Sequence, residues 1–324
     1  MDVTPRGPVA ALDCGTNSTR MLVLDDQARP LARRMEITRL GQGVDETHQL
    51  ASDAIARTVD VLTRMRKEML ALGVVRGRLV ATSAVRDARN GTAFLRAASS
   101  AAGLTAELLS GDEEGRLAYA GATSDIVPGS GDDVVVDIGG GSTELVMARD
   151  GRVAAVSLDM GCVRLTERYF PHDPPTSSDL AVAGSAVAHQ LDLAERAMPA
   201  LSSLRAPARL IGLAGTVATL ASLDQHLECY DRERIHHYPL TIEAVEHWWA
   251  TLVSEPSVRR AARTGMEIGR HDVIVGGVMV LRQVMQRFGF GTCIVSEADI
   301  LDGIALGLLG SRRPREWSRE GQSH

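Results

Sequence analysis

The sequence predicts an α/β protein made by duplication, with two similar halves that meet at a cleft. Two observations carry this. An acidic glycine loop, Asp13-Cys14-Gly15-Thr16-Asn17-Ser18, recurs as Asp137-Ile138-Gly139-Gly140-Gly141-Ser142-Thr143-Glu144. The leading aspartates stand 124 residues apart (137 − 13), about the length of one domain. Each loop follows an aliphatic, β-branched run and leads into another, the pattern of a hairpin with an Asp at its turn. After each hairpin, a third strand is followed by alternating helices and strands, the same order in both halves.

In the first half, strands are expected at 9–13, 20–25 and 32–39. A helix at 52–72 has Ser52 to cap it and Gly73 to stop it. A strand at 78–82, a helix at 92–102, a short strand at 106–109 and a helix at 112–124 complete this half. Residues 127–133, with Pro128, Gly129 and Gly131, make the best linker. The second half has strands at 134–138, 143–149 and 152–159. Helices follow at 163–170 and 178–197, the latter bounded by Pro175 and Pro199. A strand at 209–213 runs into a helix at 216–226. Later helices are expected at 242–253, 273–288 and 300–309, with a strand at 292–295. The expected domains are 1–127 and 128–310, with the last helix free to pack back on the first, and a flexible Arg-rich tail at 311–324.

The 324 residues suffice for two cores, and 44% apolar with 23% charged residues is ordinary for a soluble globular protein. Aromatic content of 3% leaves the core to Val, Leu, Ile, Ala and Met, and offers little platform for stacking single-stranded nucleic acid. With a formal net charge of −6, any polyanion site must be a local basic patch or a set of backbone donors. Cys14, Cys162, Cys229 and Cys293 lack metal or redox spacing and read as reduced thiols of a cytoplasmic protein. No signal peptide is visible at residues 2–8, and no run reaches membrane-spanning length; the apolar stretch 273–284 is short and contains Arg282.

In the first loop, Gly15 lets the backbone approach a ligand, and Thr16, Asn17 and Ser18 add side-chain donors; the plain alternative is a hairpin turn built from turn formers. The run Gly139, Gly140 and Gly141 costs more ordering entropy than a turn requires, and close approach to an anion accounts for it better. Two such hairpins face to face would present N–H groups and hydroxyls to a phosphate, with the Asp residues holding a divalent cation between them. Arg86 follows a strand, in Thr82-Ser83-Ala84-Val85-Arg86-Asp87, in the connection before the next helix. It suits bidentate phosphate binding, or else a surface ion pair with Asp87 or Asp112.

Ser110-Gly111-Asp112-Glu113-Glu114-Gly115-Arg116 opens a helix, where acids suit the dipole. One of these acids also suits a general base; helical neighbours point about 100° apart, so only one faces a given cleft. Gly212-Leu213-Ala214-Gly215-Thr216, between a strand and a helix, suits an anion, or simply close helix–strand packing. The acids of Ser296-Glu297-Ala298-Asp299-Ile300-Leu301-Asp302-Gly303 read as helix caps. His236-His237 and His271-Asp272 lack spaced partners and read as surface or packing residues rather than metal ligands.

Together, in this order, these stretches resemble the exopolyphosphatase/guanosine pentaphosphate phosphohydrolase (Ppx/GppA) family of the actin-like ATPase superfamily. The resemblance runs from Ala11 to about Gly310. It includes Asp159-Met160-Gly161-Cys162-Val163-Arg164-Leu165-Thr166-Glu167, similar to the family's segment after the second phosphate loop. It implies two ribonuclease-H-like domains around a cleft, hydrolysis of a terminal phosphoanhydride, usually with Mg²⁺, and a homodimer. Glu114 matches the family's catalytic Glu, with Glu113 as the fallback, and Arg86 matches its phosphate-contacting Arg. Many relatives carry a C-terminal helical extension; this chain ends soon after Leu309 and resembles the short, two-domain form, which puts long-chain gripping by extra domains in doubt.

The implied reaction removes the terminal phosphate of inorganic polyphosphate by in-line attack of water. Glu114 would orient and deprotonate the water, and Asp137, with Asp13 or Glu144, would hold Mg²⁺. Asp13, Gly15, Thr16, Asn17 and Ser18, then Gly139, Gly140, Gly141, Ser142 and Thr143, with Gly215, Thr216 and Arg86, would bind phosphate and stabilise equatorial charge. A guanosine pentaphosphate 5′-phosphohydrolase would use the same machinery. A non-catalytic sensor would bind polyphosphate or guanosine tetraphosphate there. A sugar or acetate kinase fits the acids at 113 and 114 less well, and the Gly212 to Thr216 loop lacks the adjacent Gly pair usual in such kinases. No nucleic acid and no membrane enters this reading.

Overall fold

A computed structural model describes residues 7–127 and 129–310. Its frame is two sheets. The first comprises β1 (Val9–Cys14), β2 (Ser18–Leu24), β3 (Pro30–Ile37), β4 (Arg76–Ala81) and β5 (Ala106–Leu108), in the order β3-β2-β1-β4-β5. The second comprises β6 (Asp133–Ile138), β7 (Thr143–Arg149), β8 (Arg152–Leu158), β9 (Arg209–Leu213), β10 (Pro239–Thr241) and β11 (Thr292–Val295), in the order β10-β11-β9-β6-β7-β8. Three antiparallel strands are extended in parallel through the first of them, from β1 to β4 and from β6 to β9. The path β8-β7-β6-β9-β11 therefore repeats β3-β2-β1-β4-β5, and β10 adds an antiparallel edge. The duplicated, ribonuclease-H-like α/β architecture expected from the sequence is present.

The helices are α1 (Val44–Thr47), α2 (Ser52–Ala71), α3 (Ser83–Asp87), α4 (Gly91–Ala102) and α5 (Gly111–Ala122), then α6 (Cys162–Tyr169), α7 (Ser177–Ala197), α8 (Ala214–Asp224), α9 (Arg232–Ile235), α10 (Ile242–Val253), α11 (Ser257–Ala261), α12 (Ile274–Phe288) and α13 (Ile300–Leu309). The short elements α1, α3, α9, α11 and β10 were not expected, since three to five residues are too few to show a period. Ser52 opens α2 but does not cap it; the cap position is Ala51, which offers no side-chain acceptor. α7 is closed at its start by a capping box of Thr176 and Asp179. Of the proposed linker 127–133, Pro128 lies outside the described residues and Asp133 already opens β6; the proposed tail 311–324 also lies outside them. Among the described residues, no helix is long and apolar enough to cross a membrane.

β1 is buried on both faces, which its unbroken apolar run requires. Ala10 and Leu12 join a core with Val61, Leu62 and Phe94 from α2 and α4. Val9 and Ala11 join a different core that includes Val135, Val146 and Ile211 of the second sheet. Between the sheets lie α5 and α13, contributing Ala118, Ala122, Ile300 and Ile304 to that shared core. The two helices cross almost backbone to backbone. A Cβ on Gly121 would sit 1.8 Å from the Asp299 carbonyl oxygen, and one on Gly303 would sit 2.1 Å from that of Leu117. Gly121→Ala should therefore push the helices apart and cost about 1–3 kcal/mol. Urea unfolding checks this as a lower midpoint with an unchanged slope; an unmoved midpoint would show that the crossing relaxes freely.

Candidate active site

The turn from β1 to β2 and the turn from β6 to β7 line one crevice, of about 60 Å³. Asp13, Gly15, Thr16, Asn17 and Ser18 come from the first turn, and Asp137 with Gly139, Gly140, Gly141 and Ser142 from the second. Glu114, Gly215, Arg20, Arg270, Thr82 and Ser83 add to its wall. The hairpins touch: a Cβ on Gly140 would lie 2.8 Å from Thr16 Cβ, and one on Gly141 would lie 3.0 Å from Thr16 Oγ1 and 2.5 Å from Ser83 Oγ of α3. Gly140 and Gly141 thus also serve the packing of one half on the other.

The carbonyls of the second turn face away from the crevice. Those of Gly139 and Gly140 accept from Cys162 N and Val163 N, both at 2.9 Å, and that of Gly141 accepts from Gly161 N at 3.3 Å. They satisfy the otherwise unpaired amides at the start of α6. In a planar trans peptide the N–H points opposite to the C=O. The N–H groups of Gly140, Gly141 and Ser142 therefore turn toward the crevice. In the first turn, Thr16 O accepts from Gly41 N (2.8 Å) and Asn17 O from Arg39 N (2.9 Å), which likewise turns the Asn17 N–H inward.

Glu114 reaches the crevice because α5 lies on the second sheet. Gly111 packs against Ser157 and Gly115 against Val146 and Ala155, contacts that a side chain would block. Ser110 caps the helix, accepting from Glu113 N at 3.2 Å. Glu113 is not brought into the crevice; its Oε1 accepts from Arg78 Nη2 at 2.7 Å. Arg86 sits in the one-turn helix α3, its Nη1 3.5 Å from Glu114 Oε2 and donating to Leu109 O at 3.1 Å. The alternative partners are engaged elsewhere, Asp87 with Arg164 and Asp112 with Arg116.

Glu144 pairs with Asp137 across β6 and β7, and its Oε1 accepts from Ser157 Oγ at 2.6 Å. Thr143 and Thr216 are not in the crevice. Thr143 Oγ1 donates to Met160 O at 2.8 Å, and Thr216 packs against Gly277 of α12. Two arginines at the site escaped the sequence reading. Arg20 donates to Asp13 Oδ2 from Nη2 at 2.6 Å and also binds Asp299, which caps α13. Arg270 lies against Gly215, where a Cβ would come within 2.0 Å of Nη2.

Burial decides the electrostatics. It pushes Asp137 up to about 8, helped next by Glu144. Burial, then Glu144 and Asp13, raises Glu114 well above the usual range for Glu. Burial likewise raises Asp13 against the pull of Arg20, and raises Glu144. Asp13 Oδ1 and Glu114 Oε2 are buried without a hydrogen-bond partner, as is Asn17 Nδ2. Hard carboxylate oxygens crowded in this way, with Asp13 and Asp137 on the crevice and Glu144 beside Asp137, have the donor chemistry of a divalent-cation site.

His236 and His237 do acquire a spaced partner, Asp125. Glu297 N donates to His236 Nδ1 at 3.0 Å, so the neutral ring carries its proton on Nε2, which lies 2.7 Å from Asp125 Oδ2. Burial, the largest influence, lowers the His236 pKa against the opposing pull of Asp125. The sequence reading, which gave the two histidines no spaced partner, missed Asp125, brought to them by the tertiary fold. Asp272, beside His271, is engaged by Arg39 at 2.7 Å.

The sequence profile of the Ppx/GppA phosphatase family matches residues 23–312. Exopolyphosphatase 2 of Mycobacterium tuberculosis is 40% identical over 318 residues, covering 93% of this chain and 98% of that protein. A solved exopolyphosphatase-like protein superposes with a TM-score of 0.87 at 33% identity, covering 94% of this chain and 99% of that one. A Ppx/GppA family member from Aquifex aeolicus superposes with a TM-score of 0.79 at 31% identity, covering 95% and 100%. Profile, identity and superposition agree over nearly the whole length, and the chain belongs to the Ppx/GppA phosphatase family.

Proposed function

We propose that the protein is a Mg²⁺-dependent exopolyphosphatase that releases orthophosphate from the end of inorganic polyphosphate. The observation that carries this reading is the convergence of two acidic hairpins and Glu114 on one buried crevice. The likeness to a protein named Exopolyphosphatase 2 along nearly its full length supports the substrate. The halves 1–127 and 128–310 would hold the end group between them. We further propose a cytoplasmic homodimer as the working form.

Glu114 is the base. Its raised proton affinity suits it to take a proton from water as the oxygen attacks the terminal phosphorus and the bridging P–O bond breaks. Arg86, 3.5 Å away, holds that carboxylate in place. The inward N–H groups of Gly140, Gly141, Ser142 and Asn17, with Asn17 Nδ2, donate to the phosphoryl oxygens. Arg270, which lines the crevice beside Gly215, adds positive charge. When bound, Mg²⁺ supplies Lewis-acid neutralisation of those oxygens.

The test is phosphate release, with Mg²⁺, from polyphosphates of several lengths, guanosine pentaphosphate and ATP. Release is expected to be fastest from polyphosphate. Release from guanosine pentaphosphate alone would transfer the assignment to a 5′-phosphohydrolase. Tight polyphosphate binding with no release would make the protein a sensor.

A further inference from the structure

We propose that Arg164 is a positioning residue, a clamp that sets the second phosphate loop against the helix carrying Arg86; its catalytic consequence rests on the hydrolase reading above. Arg164 lies in the first turn of α6 with its side chain 11% exposed. Its guanidinium donates in three directions. Nε donates to Gly141 O at 2.6 Å, Nη1 to Asp45 Oδ1 at 2.6 Å, and Nη2 to Asp87. Ser83 Oγ is 3.4 Å from Nη2. Asp45 belongs to α1, and Ser83 and Asp87 belong to α3, so one side chain of the second half ties a loop carbonyl to two helices of the first.

Both ends of the tie adjoin the chemistry without touching it. The Gly141 carbonyl shares its peptide plane with the Ser142 N–H, so holding one aims the other into the crevice. Asp87 is the neighbour of Arg86 in α3, and Arg86 faces Glu114. The rest of α6 reinforces the seam: Arg168 pairs with Asp45, and Glu167 accepts from Gly43 N at 3.1 Å. A planar fork with five donors can serve a carbonyl and two carboxylates at once; an ammonium on a flexible stem cannot hold all three in fixed directions. Joining two halves by burying such a charge is costly compared with apolar packing, which points to alignment as its use.

The test compares wild type with Arg164→Met and Arg164→Lys by amide hydrogen exchange, without substrate, and by steady-state kinetics on polyphosphate. Exchange at residues 139–142 and 83–87 is expected to accelerate in Arg164→Met. Arg164→Lys should regain only part of the protection. In Arg164→Met, kcat should fall about 10- to 100-fold with KM changed far less, the signature of misplaced groups rather than lost binding. Wild-type exchange at 139–142 together with wild-type kcat overturns the proposal, whatever happens to Tm. If Arg164→Met does not fold, Asp87→Asn substitutes: faster exchange at 83–87 with lower kcat supports the clamp, and wild-type values of both overturn it. Exchange is read on the free protein, so an inactive wild type would refute the hydrolase reading while the clamp is still decided.

Discussion

Glu114→Gln should reduce phosphate release by about 10²–10⁴-fold in kcat, while Glu113→Gln stays near wild type. The amide keeps the size of the side chain and its place on α5 but cannot accept a proton from water at neutral pH. Binding should survive, because in the proposed mechanism loop N–H groups, rather than this carboxylate, hold the substrate's end group. Glu113 serves as the control: it occupies the same helix turn, one residue away, yet is engaged by Arg78. Steady-state release of phosphate, with calorimetric titration of polyphosphate into both variants, separates the two roles. Full turnover by Glu114→Gln would remove this residue from the mechanism, and a matching loss in Glu113→Gln would show that α5 is rotated relative to the crevice.

The order of elements and both acidic turns were legible because each rests on local chemistry: a period of two, a turn residue, a helix start. A hairpin centred between Thr16 and Asn17 pairs Asp13 with Arg20, and one centred between Gly140 and Gly141 pairs Asp137 with Glu144. Counting outward from the first turn would have found Arg20 as the cross-strand partner of Asp13. The same alternation explains Thr143. It opens β7 and points opposite to Glu144, so its hydroxyl meets Met160 O rather than a phosphate. Arg270 had no such signal, since it stands in an irregular stretch between α11 and α12 and reaches Gly215 only through the tertiary fold. The choice between Glu113 and Glu114 was likewise not local. It depends on Gly111 and Gly115 seating α5 against Ser157, Val146 and Ala155 of the other half.

Asp137→Asn is expected to destroy activity and stabilise the metal-free fold, both for one reason. Burial and then Glu144 raise the Asp137 carboxyl from 3.8 to about 8. Between those values the folded protein keeps a proton that the unfolded chain has released. Stability in the absence of Mg²⁺ therefore falls as pH rises from about 4 to about 8. Asparagine is neutral throughout, so the metal-free variant should show a flatter profile and exceed wild type near pH 8. A cation competes with that proton, so Mg²⁺ should raise the wild-type Tm more at about pH 8 than at about pH 5.5, and raise that of Asp137→Asn little at either. Turnover should drop about 10²–10³-fold, as when one preorganised electrostatic contact to the transition state is lost. Thermal unfolding at the two pH values, with and without MgCl₂, is to be run beside a phosphate-release assay. A variant no more stable than wild type near pH 8, with an undiminished response to Mg²⁺, would mean that Asp137 neither stores this strain nor binds the cation. The expected result would tie the instability of four crowded carboxylates to the ion their arrangement is suited to hold.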